Sequence, residues 1–359
     1  MMDFKEFVKE VADKIKEFLP DAFIEAEVKI NEVTKNNGVK LTGLTIRNEG
    51  SNISPTIYME SFYEKYADQG MDINSILQEI AKVRIDHDVK HDFDATSITD
   101  FAKVRDHIVC KLVNRELNAD YLKDRPYTPV EDLAVVYLID LGKDRGGYMT
   151  TAVTDKLMEE YGITAAELHD IAMDNLSRSD IAFRSMWETL IDLNSALGAF
   201  DNEDIRTEME KSPMYVLTIK DSTFGAAAVL DQTTMDSIAE RLGGDYVVIP
   251  SSVGEVIIVP YNGAMSMDEM NSMVRDVNAS ELAEQDILSD HVYMYDAREH
   301  ELVSAQTYED RYAEKSEDKD IVSEITSIKD KLSDKTAEVA RKEATREHKV
   351  KAKDTPVLA

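Results

Sequence analysis

The amino-acid sequence predicts an α+β protein with mainly antiparallel sheets backed by helices, arranged as two domains and a charged C-terminal helix. Apolar residues recur at helical spacing from Phe4, and β-rich runs flank turn sequences such as Asn36-Asn37-Gly38. Residues 214–260 show strand, helix, strand and strand patterns in succession. With 359 residues and 43% hydrophobic content, the chain can bury a sizeable core and exceeds the usual length of one domain.

The first domain is predicted over residues 1–122. It opens with an amphipathic helix that stops at Pro20, and one helical face carries Phe4, Phe7, Val8, Val11, Ile15 and Phe18. β-rich runs at 24–33 and 39–47 flank the Asn-Asn-Gly turn, which supplies the positive φ angles of a tight hairpin. A short edge strand within 55–60 and a helix at 72–85 follow, and we expect the strand around Cys110 to close this domain.

A polar stretch at 120–129, which contains two prolines, marks the predicted boundary to a second domain over residues 130–306. The strands at 133–141 and 148–154 are joined by a glycine-rich loop. Because that loop lacks a Gly-Lys-Ser/Thr ending and lies between strands, it predicts a hairpin turn and not a nucleotide site. A capping box at Thr164 and Glu167 begins a helix, and a helical insertion containing Trp187 is expected over residues 179–212.

Local sequence signals predict the helices and strands in the rest of the second domain. Met235, Ile238, Ala239 and Leu242 define a helix that ends at Gly243-Gly244. Strands follow at 245–249 and 255–259, and the uninterrupted apolar run at 247–249 is typical of a strand covered on both faces. A second capping box at Ser266 and Glu269 begins another helix, and a last hairpin pairs residues 291–295 with 301–305.

The predicted tail, residues 312–359, is a charged helix with a basic end. Its apolar stripe indicates a short coiled coil or a helix docked on the body, and consists of Ile321, Ile325, Ile328, Leu332 and Val339. Three heptads at most are a weak oligomerisation signal, so the oligomeric state is left open.

The net charge of −30 argues against direct binding to nucleic acid or to acidic lipid surfaces, and favours a soluble acidic protein. The alternative interpretation of the same charge is that the protein is an acidic mimic of nucleic acid. The sequence shows neither a membrane-spanning apolar run nor a signal-peptide pattern, and a single cysteine fits a reducing compartment, so we expect a cytoplasmic protein. Cys110 lies in an apolar run that is typical of a buried structural thiol, and no cofactor is expected.

The turn between two predicted strands provides the best-placed polar group, Ser251, Ser252 and Glu255. A serine hydroxyl there would act as a nucleophile if a histidine base came near, and His291 is the candidate base through tertiary proximity. No G-x-S-x-G elbow is present, and Pro-Ser-Ser is also an ordinary turn sequence, so a structural role is favoured.

His87 and His91 are four residues apart, the spacing with which two imidazoles on a helix reach one metal ion. The segment resembles the zinc-protease H-E-x-x-H motif with Asp88 in place of the glutamate, and Asp86, Asp92 and Asp94 would be available as oxygen ligands. The apolar helical period fades after Ile80, however, which indicates an exposed polar connector. We therefore expect no metal site here.

The chain resembles an uncharacterised clostridial (Firmicutes) domain-of-unknown-function family over residues 4–296. The similarity lies in residues 35–44, 54–58, 132–137, 214–218, 225–227, 249–252 and 255–257. The resemblance implies no activity, because the family has no established function. Family members often carry histidine between the serine pair and the glutamate, where this chain has Gly254, and this departure weakens any Ser/His chemistry at the turn.

The favoured functional hypothesis is an intracellular acidic binding or regulatory module that acts on a protein partner, through the tail or the cleft between domains. The alternative is a hydrolase or metal-dependent enzyme that uses the Ser251/Ser252/Glu255 turn or the His87/His91 pair. The acidic mimic of nucleic acid is the weaker alternative.

Overall fold

The computed structural model describes residues 1–49, 51, 54–88, 96–144, 147–195, 213–220, 223–263 and 265–312. Within these residues, helices accompany three antiparallel sheets, and the predicted α+β class is confirmed. None of the described helices is long and apolar enough to cross a membrane. The helices are α1 (Phe4–Lys14), α2 (Glu60–Ala67), α3 (Ile73–Asp86), α4 (Thr96–Thr99), α5 (Phe101–Val104), α6 (Asp155–Tyr161), α7 (Ala165–Ser177), α8 (Met186–Ser195), α9 (Gln232–Leu242), α10 (Met267–Glu281) and α11 (Ala305–Tyr312).

The strands form sheets of three, four and six members. They are β1 (Glu27–Thr34), β2 (Lys40–Arg47), β3 (Thr56–Tyr58), β4 (Ile108–Asn114), β5 (Tyr127–Val130), β6 (Leu133–Asp144), β7 (Gly147–Ala152), β8 (Ile181–Ser185), β9 (Tyr215–Ile219), β10 (Tyr246–Ser252), β11 (Glu255–Pro260), β12 (Tyr293–Asp296) and β13 (Glu301–Ser304). The sheet orders are β1-β2-β3, β4-β6-β5 with β7 also on β6, and β13-β12-β10-β11-β9-β8.

The N-terminal elements share one core. The capping box of Asp3 and Glu6 begins α1, and Phe7, Val8 and Val11 of that helix are buried. This apolar face packs with residues of α3 and of the three-stranded sheet in a cluster that extends in sequence to Ala81. The predicted N-terminal helix, hairpin, edge strand and second helix are all present.

The strand around Cys110 does not close the N-terminal sheet, so that expectation is wrong. β4 pairs antiparallel with β6 from Ile108↔Ile139 to Asn114↔Leu133, in the four-stranded sheet. Cys110 and Leu112 are buried in the large core that also contains residues of α7, α9 and the six-stranded sheet. β4 and β6 are both apolar on that face, so pairing them buries two strands at once. The division into domains at residues 120–129 stays a prediction.

A second expectation also needs correction, because residues 181–185 do not belong to a helical insertion. They form β8, which pairs with β9 at the edge of the six-stranded sheet. Trp187 lies in α8, as predicted for a helical segment. Residues 196–212 of the predicted insertion and the predicted tail after Tyr312 lie outside the described residues.

β10 is one of the two central strands of the six-stranded sheet, and it is covered on both faces as the apolar run predicts. Val248 belongs to the large core, whereas its neighbour Val247 belongs to a separate cluster under α10 and α11. Both valines are buried. Ile249, next along the strand, is partly buried. Gly243 ends α9 in the left-handed conformation at φ 85°, so the predicted helix end is confirmed.

The α11 helix, which the sequence patterns did not reveal, is fixed to the sheet by acidic side chains. The Tyr308 hydroxyl donates to Asp245 at 2.5 Å, and the Tyr312 hydroxyl donates to Asp296 at 2.9 Å. Asp296 is fully buried and also pairs with Arg311 at 3.3 Å. These contacts keep a buried carboxylate hydrogen-bonded, as a buried charge requires.

The tip of the N-terminal hairpin contacts the rest of the chain through Asn37, which has φ 59° in the 3-10 turn Asn36–Gly38. Its side-chain nitrogen donates to the carbonyl oxygens of Glu284 and Ile287, both at 2.7 Å. Its side-chain oxygen accepts from Asn118 at 2.9 Å, and its own N–H donates to the Asn118 oxygen at 3.0 Å. Both asparagines are buried, so this network joins the hairpin to the second half of the chain.

We predict that Asn37→Gly destabilises the protein by about 2 to 4 kcal/mol. Glycine keeps the positive φ angle but removes both side-chain hydrogen bonds to the carbonyls of Glu284 and Ile287 and one of the two hydrogen bonds that the Asn118 side-chain nitrogen donates. Asn36→Ala, which removes a single side-chain hydrogen bond to the Gln285 carbonyl, should cost about 1 kcal/mol. Urea unfolding measures both, and an Asn37→Gly variant within about 0.5 kcal/mol of wild type would contradict the role of the network.

Candidate functional site

The serine turn connects β10 and β11, and its hydroxyl serves the turn itself. Ser252 pairs with Glu255 across the turn, after a register shift that follows Ile249. The Ser252 Oγ accepts a hydrogen bond from the Gly254 N–H at 3.1 Å. This is a local side-chain to backbone bond of the kind that stabilises turns.

Neighbouring segments hold the turn from both sides. The Gly254 carbonyl accepts from the Thr218 hydroxyl at 2.8 Å, and the Val253 N–H donates to the Asp286 carbonyl at 3.2 Å. Gly225 lies so close that a β-carbon there would be 2.2 Å from the Gly254 carbonyl oxygen, which explains a glycine at this position. The turn is therefore packed against the segment 225–230 and the loop around Asp286.

Of the other candidate catalytic residues, Glu255 is partly buried, and burial raises the pKa of its carboxyl. His291 is exposed, and its backbone N–H donates to the Ser289 Oγ at 3.0 Å. No hydrogen bond joins His291 to Ser251 or Ser252 in the described part of the chain. The structure thus shows no serine–histidine pair at this turn.

The candidate metal residues are only partly described. His87 follows α3, and its Nδ1 atom is buried without a hydrogen-bond partner. Asp88 pairs with the buried Arg84 at 2.6 Å, and His91 lies outside the described residues. Across the described ranges, no group of three His, Cys, Asp or Glu side chains is arranged to hold a metal ion. The absence of a metal site at His87 and His91 stays a prediction.

A histidine–carboxylate pair that the sequence patterns missed joins the β12–β13 turn to α9. His300 Nδ1 lies 2.6 Å from Asp236 Oδ1, which also accepts from the Tyr295 hydroxyl at 2.5 Å. Gln232 donates to the Tyr295 hydroxyl at 2.6 Å and to the His300 carbonyl at 3.0 Å. His300 has φ 56°, so the turn holds a non-glycine residue in the left-handed region.

The pair is electrostatically favourable. Hydrogen bonds from Tyr295 and His300 lower the pKa of Asp236, and the hydrogen bond and charge of Asp236 raise the pKa of His300. The Asp236 carboxylate orients the imidazole, so a proton could be exchanged at Nε2. No nucleophilic side chain among the described hydrogen-bond partners completes a catalytic triad, and the pair fixes the turn on α9.

A second buried constellation consists of Asp132, Ser289 and Tyr293. The hydroxyls of Ser289 and Tyr293 donate to the two Asp132 oxygens at 2.7 and 2.5 Å. Ser289 and Tyr293 are almost completely buried. The Ser289 hydroxyl donates its hydrogen bond to a carboxylate and is not exposed to solvent. These three residues therefore hold the segment before β12 against the β5–β6 turn.

The junction, where the Asn36–Gly38 turn meets β4 and the loop around Asp286, contains two lysines. Lys35 Nζ lies 4.2 Å from the centroid of the Tyr58 ring, and Lys111 Nζ lies 5.4 Å from the centroid of the Phe224 ring. Burial and, to a smaller extent, the Lys35 charge lower the pKa of Lys111 to about 8, and the Asp286 charge opposes this shift. A partly buried amine of this kind is an unusual feature for a surface of net negative charge.

The outer edge of β1 is unpaired in the described part of the chain. Eight consecutive residue pairs join β1 to β2 without a register shift, and no described strand pairs with the other edge. Six of its eight residues are exposed, and they are Glu27, Lys29, Ile30, Asn31, Glu32 and Thr34. The backbone groups along that edge are therefore available to another strand.

We predict that the serine turn is less important for stability than the strand before it. Val248→Ala should cost about 2 to 3 kcal/mol, because it leaves a cavity in the large core, whereas Ser252→Ala should cost under about 1 kcal/mol. Chemical denaturation of both variants gives the comparison. A mild Val248→Ala combined with a severe Ser252→Ala would contradict this account of the turn.

We also predict that the His300–Asp236 pair adds stability in a defined pH window. A raised histidine pKa gives a contribution that is complete below about pH 6.5 and is lost as pH rises through the folded-state pKa. The lowered Asp236 pKa gives a second contribution to stability. It is present above the unfolded-state pKa of 3.8 and is lost as pH falls through the folded-state pKa. His300→Asn, which tolerates the backbone angle, should therefore lower the Tm more at about pH 5.5 than at about pH 8.5.

The matched control for that prediction is the same substitution in an Asp236→Asn background. There the effect of His300→Asn should no longer depend on pH. An equal loss of Tm at both pH values in the wild-type background would show that the pair is not ionic.

No curated protein and no solved structure matches the chain. Residues 4–297 match the family of unknown function DUF5688. The matched range extends from α1 to the turn after β12, and it includes the serine turn, the junction and the β1 edge. Because the match extends over most of the 359 residues, the chain belongs to the family of unknown function DUF5688.

Proposed function

We propose that the chain is a cytoplasmic protein-binding module with a regulatory role, and that it binds an extended segment of a partner protein at the free edge of β1. The single observation that carries the proposal is this long, regular and exposed edge strand. Strand addition to such an edge gives affinity through backbone hydrogen bonds and specificity through the alternating side chains.

The side chains of β1 support the proposal. Ile30 lies near the middle of the strand and is 48% exposed, so it offers an apolar anchor at the edge. Val28 and Ile30 pair with Ile46 and Leu44, both buried in the N-terminal core. A partner strand would therefore extend an apolar surface that already exists on that face of the sheet.

The ion pairs of β1 restrict the partner. Glu27 pairs with Lys29 and Arg47, and Glu32 pairs with Lys40. Charged side chains on an edge strand discourage indiscriminate strand pairing. A second copy of the chain is disfavoured because two proteins of net charge −30 repel each other, whereas a basic segment of another protein is attracted. We therefore propose a basic, extended segment of a different protein as the occupant.

The proposal is tested by placing a photo-crosslinking amino acid at position 30 and, as a control, at position 85 of the full chain. Ile85 is exposed on α3 in the same part of the molecule, with a similar exposed fraction of 42%. Crosslinked partners are identified by mass spectrometry, and the crosslinked segment is synthesised as a peptide. Titration with this peptide should protect β1 amides from hydrogen exchange, and Ile30→Lys should weaken binding at least tenfold while Ile85→Lys leaves it unchanged.

Three results would overturn the proposal. The first is a partner that crosslinks equally at both positions, and the second is a bound peptide that leaves the β1 amides unprotected. The third is a dimer in light scattering that Ile30→Lys dissociates, because the edge would then be occupied by a second copy.

A further inference from the structure

The dipeptide asparagine-glycine occurs twice in the chain, as Asn37-Gly38 and as Asn262-Gly263. Asparagine is most prone to deamidation before glycine, because glycine has no β-carbon to hinder the attack of its backbone nitrogen on the asparagine side chain. The two asparagines differ in their surroundings, since Asn262 is exposed and Asn37 is only 7% exposed. The local chemistry is therefore the same at both places, and the fold distinguishes them.

The closed junction holds the reacting group of Asn37. Its side-chain nitrogen, which is the leaving group in deamidation, donates to the carbonyl oxygens of Glu284 and Ile287, both at 2.7 Å. Its side-chain oxygen accepts from Asn118 at 2.9 Å, and its backbone N–H donates to the Asn118 oxygen at 3.0 Å. Loss of the side-chain nitrogen breaks the bonds to both carbonyls, so the network must open before the reaction can proceed.

The product of deamidation does not fit the closed junction. A carboxylate replaces the amide, and a carboxylate only accepts hydrogen bonds, as do the carbonyl oxygens of Glu284 and Ile287. Reclosing would place a new negative charge against two acceptors in a buried position, where no donor replaces the lost N–H groups. The isoaspartate form of the product also adds a methylene to the backbone of the Asn36–Gly38 turn, which changes the geometry of the turn.

We propose that Asn37-Gly38 is a deamidation site that the closed junction protects, and that deamidation of Asn37 holds the junction open. In the reaction, the Gly38 nitrogen forms a bond to the Asn37 Cγ atom, the bond from Cγ to Nδ2 breaks, and ammonia leaves with the Gly38 proton. Water then opens the cyclic succinimide to aspartate or isoaspartate. A transient opening thereby becomes permanent. This inference does not depend on the proposed protein-binding role.

The modification would act on the hairpin that carries β1. Among the described side-chain hydrogen bonds from the hairpin tip to the loop at residues 284–287, two come from Asn37 and one from Asn36, which donates to the Gln285 carbonyl at 2.9 Å. Deamidation removes both bonds of Asn37. We expect the tip to separate from the loop while β1 stays paired with β2, because the eight residue pairs of the hairpin do not involve the loop.

The first test compares the two asparagines in the same molecule. The full chain is incubated in mildly alkaline buffer, either folded or unfolded in urea, and the deamidated fraction at Asn37 and at Asn262 is followed by peptide mass spectrometry. In urea the two should react at similar rates. In the folded chain, Asn37 should react at least about tenfold more slowly than Asn262. Asn118→Ala removes two hydrogen bonds with Asn37, and it should accelerate the reaction at Asn37 without changing the rate at Asn262.

The second test uses Asn37→Asp, which carries the carboxylate of the product. Asn262→Asp is the matched control, because it adds the same charge at an exposed position. Hydrogen exchange is measured by nuclear magnetic resonance at the backbone amide of residue 37, which the Asn118 oxygen protects in the closed junction. This amide should exchange at least about tenfold faster in Asn37→Asp than in wild type, and as in wild type in Asn262→Asp.

Four results would overturn the proposal. Two concern the reaction rate, and they are deamidation of Asn37 as fast as that of Asn262 in the folded chain, and no deamidation of Asn37 in urea. The third is an unchanged rate at Asn37 in Asn118→Ala. The fourth is an amide of residue 37 that stays as protected in Asn37→Asp as in Asn262→Asp, because the carboxylate would then be compatible with the closed junction.

Discussion

Two short hydrogen bonds from the Asn37 side chain hold the tip of the N-terminal hairpin against the carbonyls of Glu284 and Ile287. They depend on a backbone angle of φ 59°, which asparagine adopts more readily than most residues. The turn that contains Asn37 also sets the register of β1 on β2, so one residue determines both the hairpin and its contact with the rest of the chain. The hairpin that carries β1 is thereby joined to the loop around Asp286.

A different constraint shapes the second half of the molecule, where β10 lies between two cores. Val247 and Val248 point to opposite faces, so neither face of the strand is open to a ligand. The serine turn follows β10, and hydrogen bonds with Thr218 and Asp286 hold its backbone in place. For this reason the proposed function is placed at the open edge of β1 and not at the turn.

Local signals in the sequence were sufficient for many elements. The Asn-Asn-Gly hairpin and the capping boxes at Thr164 and Ser266 each depend on residues within four positions of one another. The partner of β4 and the strand β8 could not be predicted, because short apolar runs do not specify which strand they pair with. β8 also directly precedes α8 in the sequence, so the helical pattern of α8 does not show where the strand ends.

The candidate sites were harder to predict for the same reason. Ser251, Ser252 and Glu255 could be found because they are close in sequence, but His300 and Asp236 meet only through the β12–β13 turn and α9. The junction is likewise formed by tertiary contacts, between the hairpin tip and the loop around Asp286. The only sequence signal for Lys111 was its place within an apolar strand pattern, where a charged side chain needs an explanation.

The central claim is that Asn37 and Asn118 act as one network that joins the N-terminal hairpin to the second half of the chain. Its most direct test is a double-mutant cycle of Asn37→Gly and Asn118→Ala, with the free energy of unfolding measured in urea. The account predicts that the double variant loses less stability than the sum of the two single losses, with a coupling energy of at least about 1 kcal/mol. Losses that add to within about 0.3 kcal/mol would contradict it.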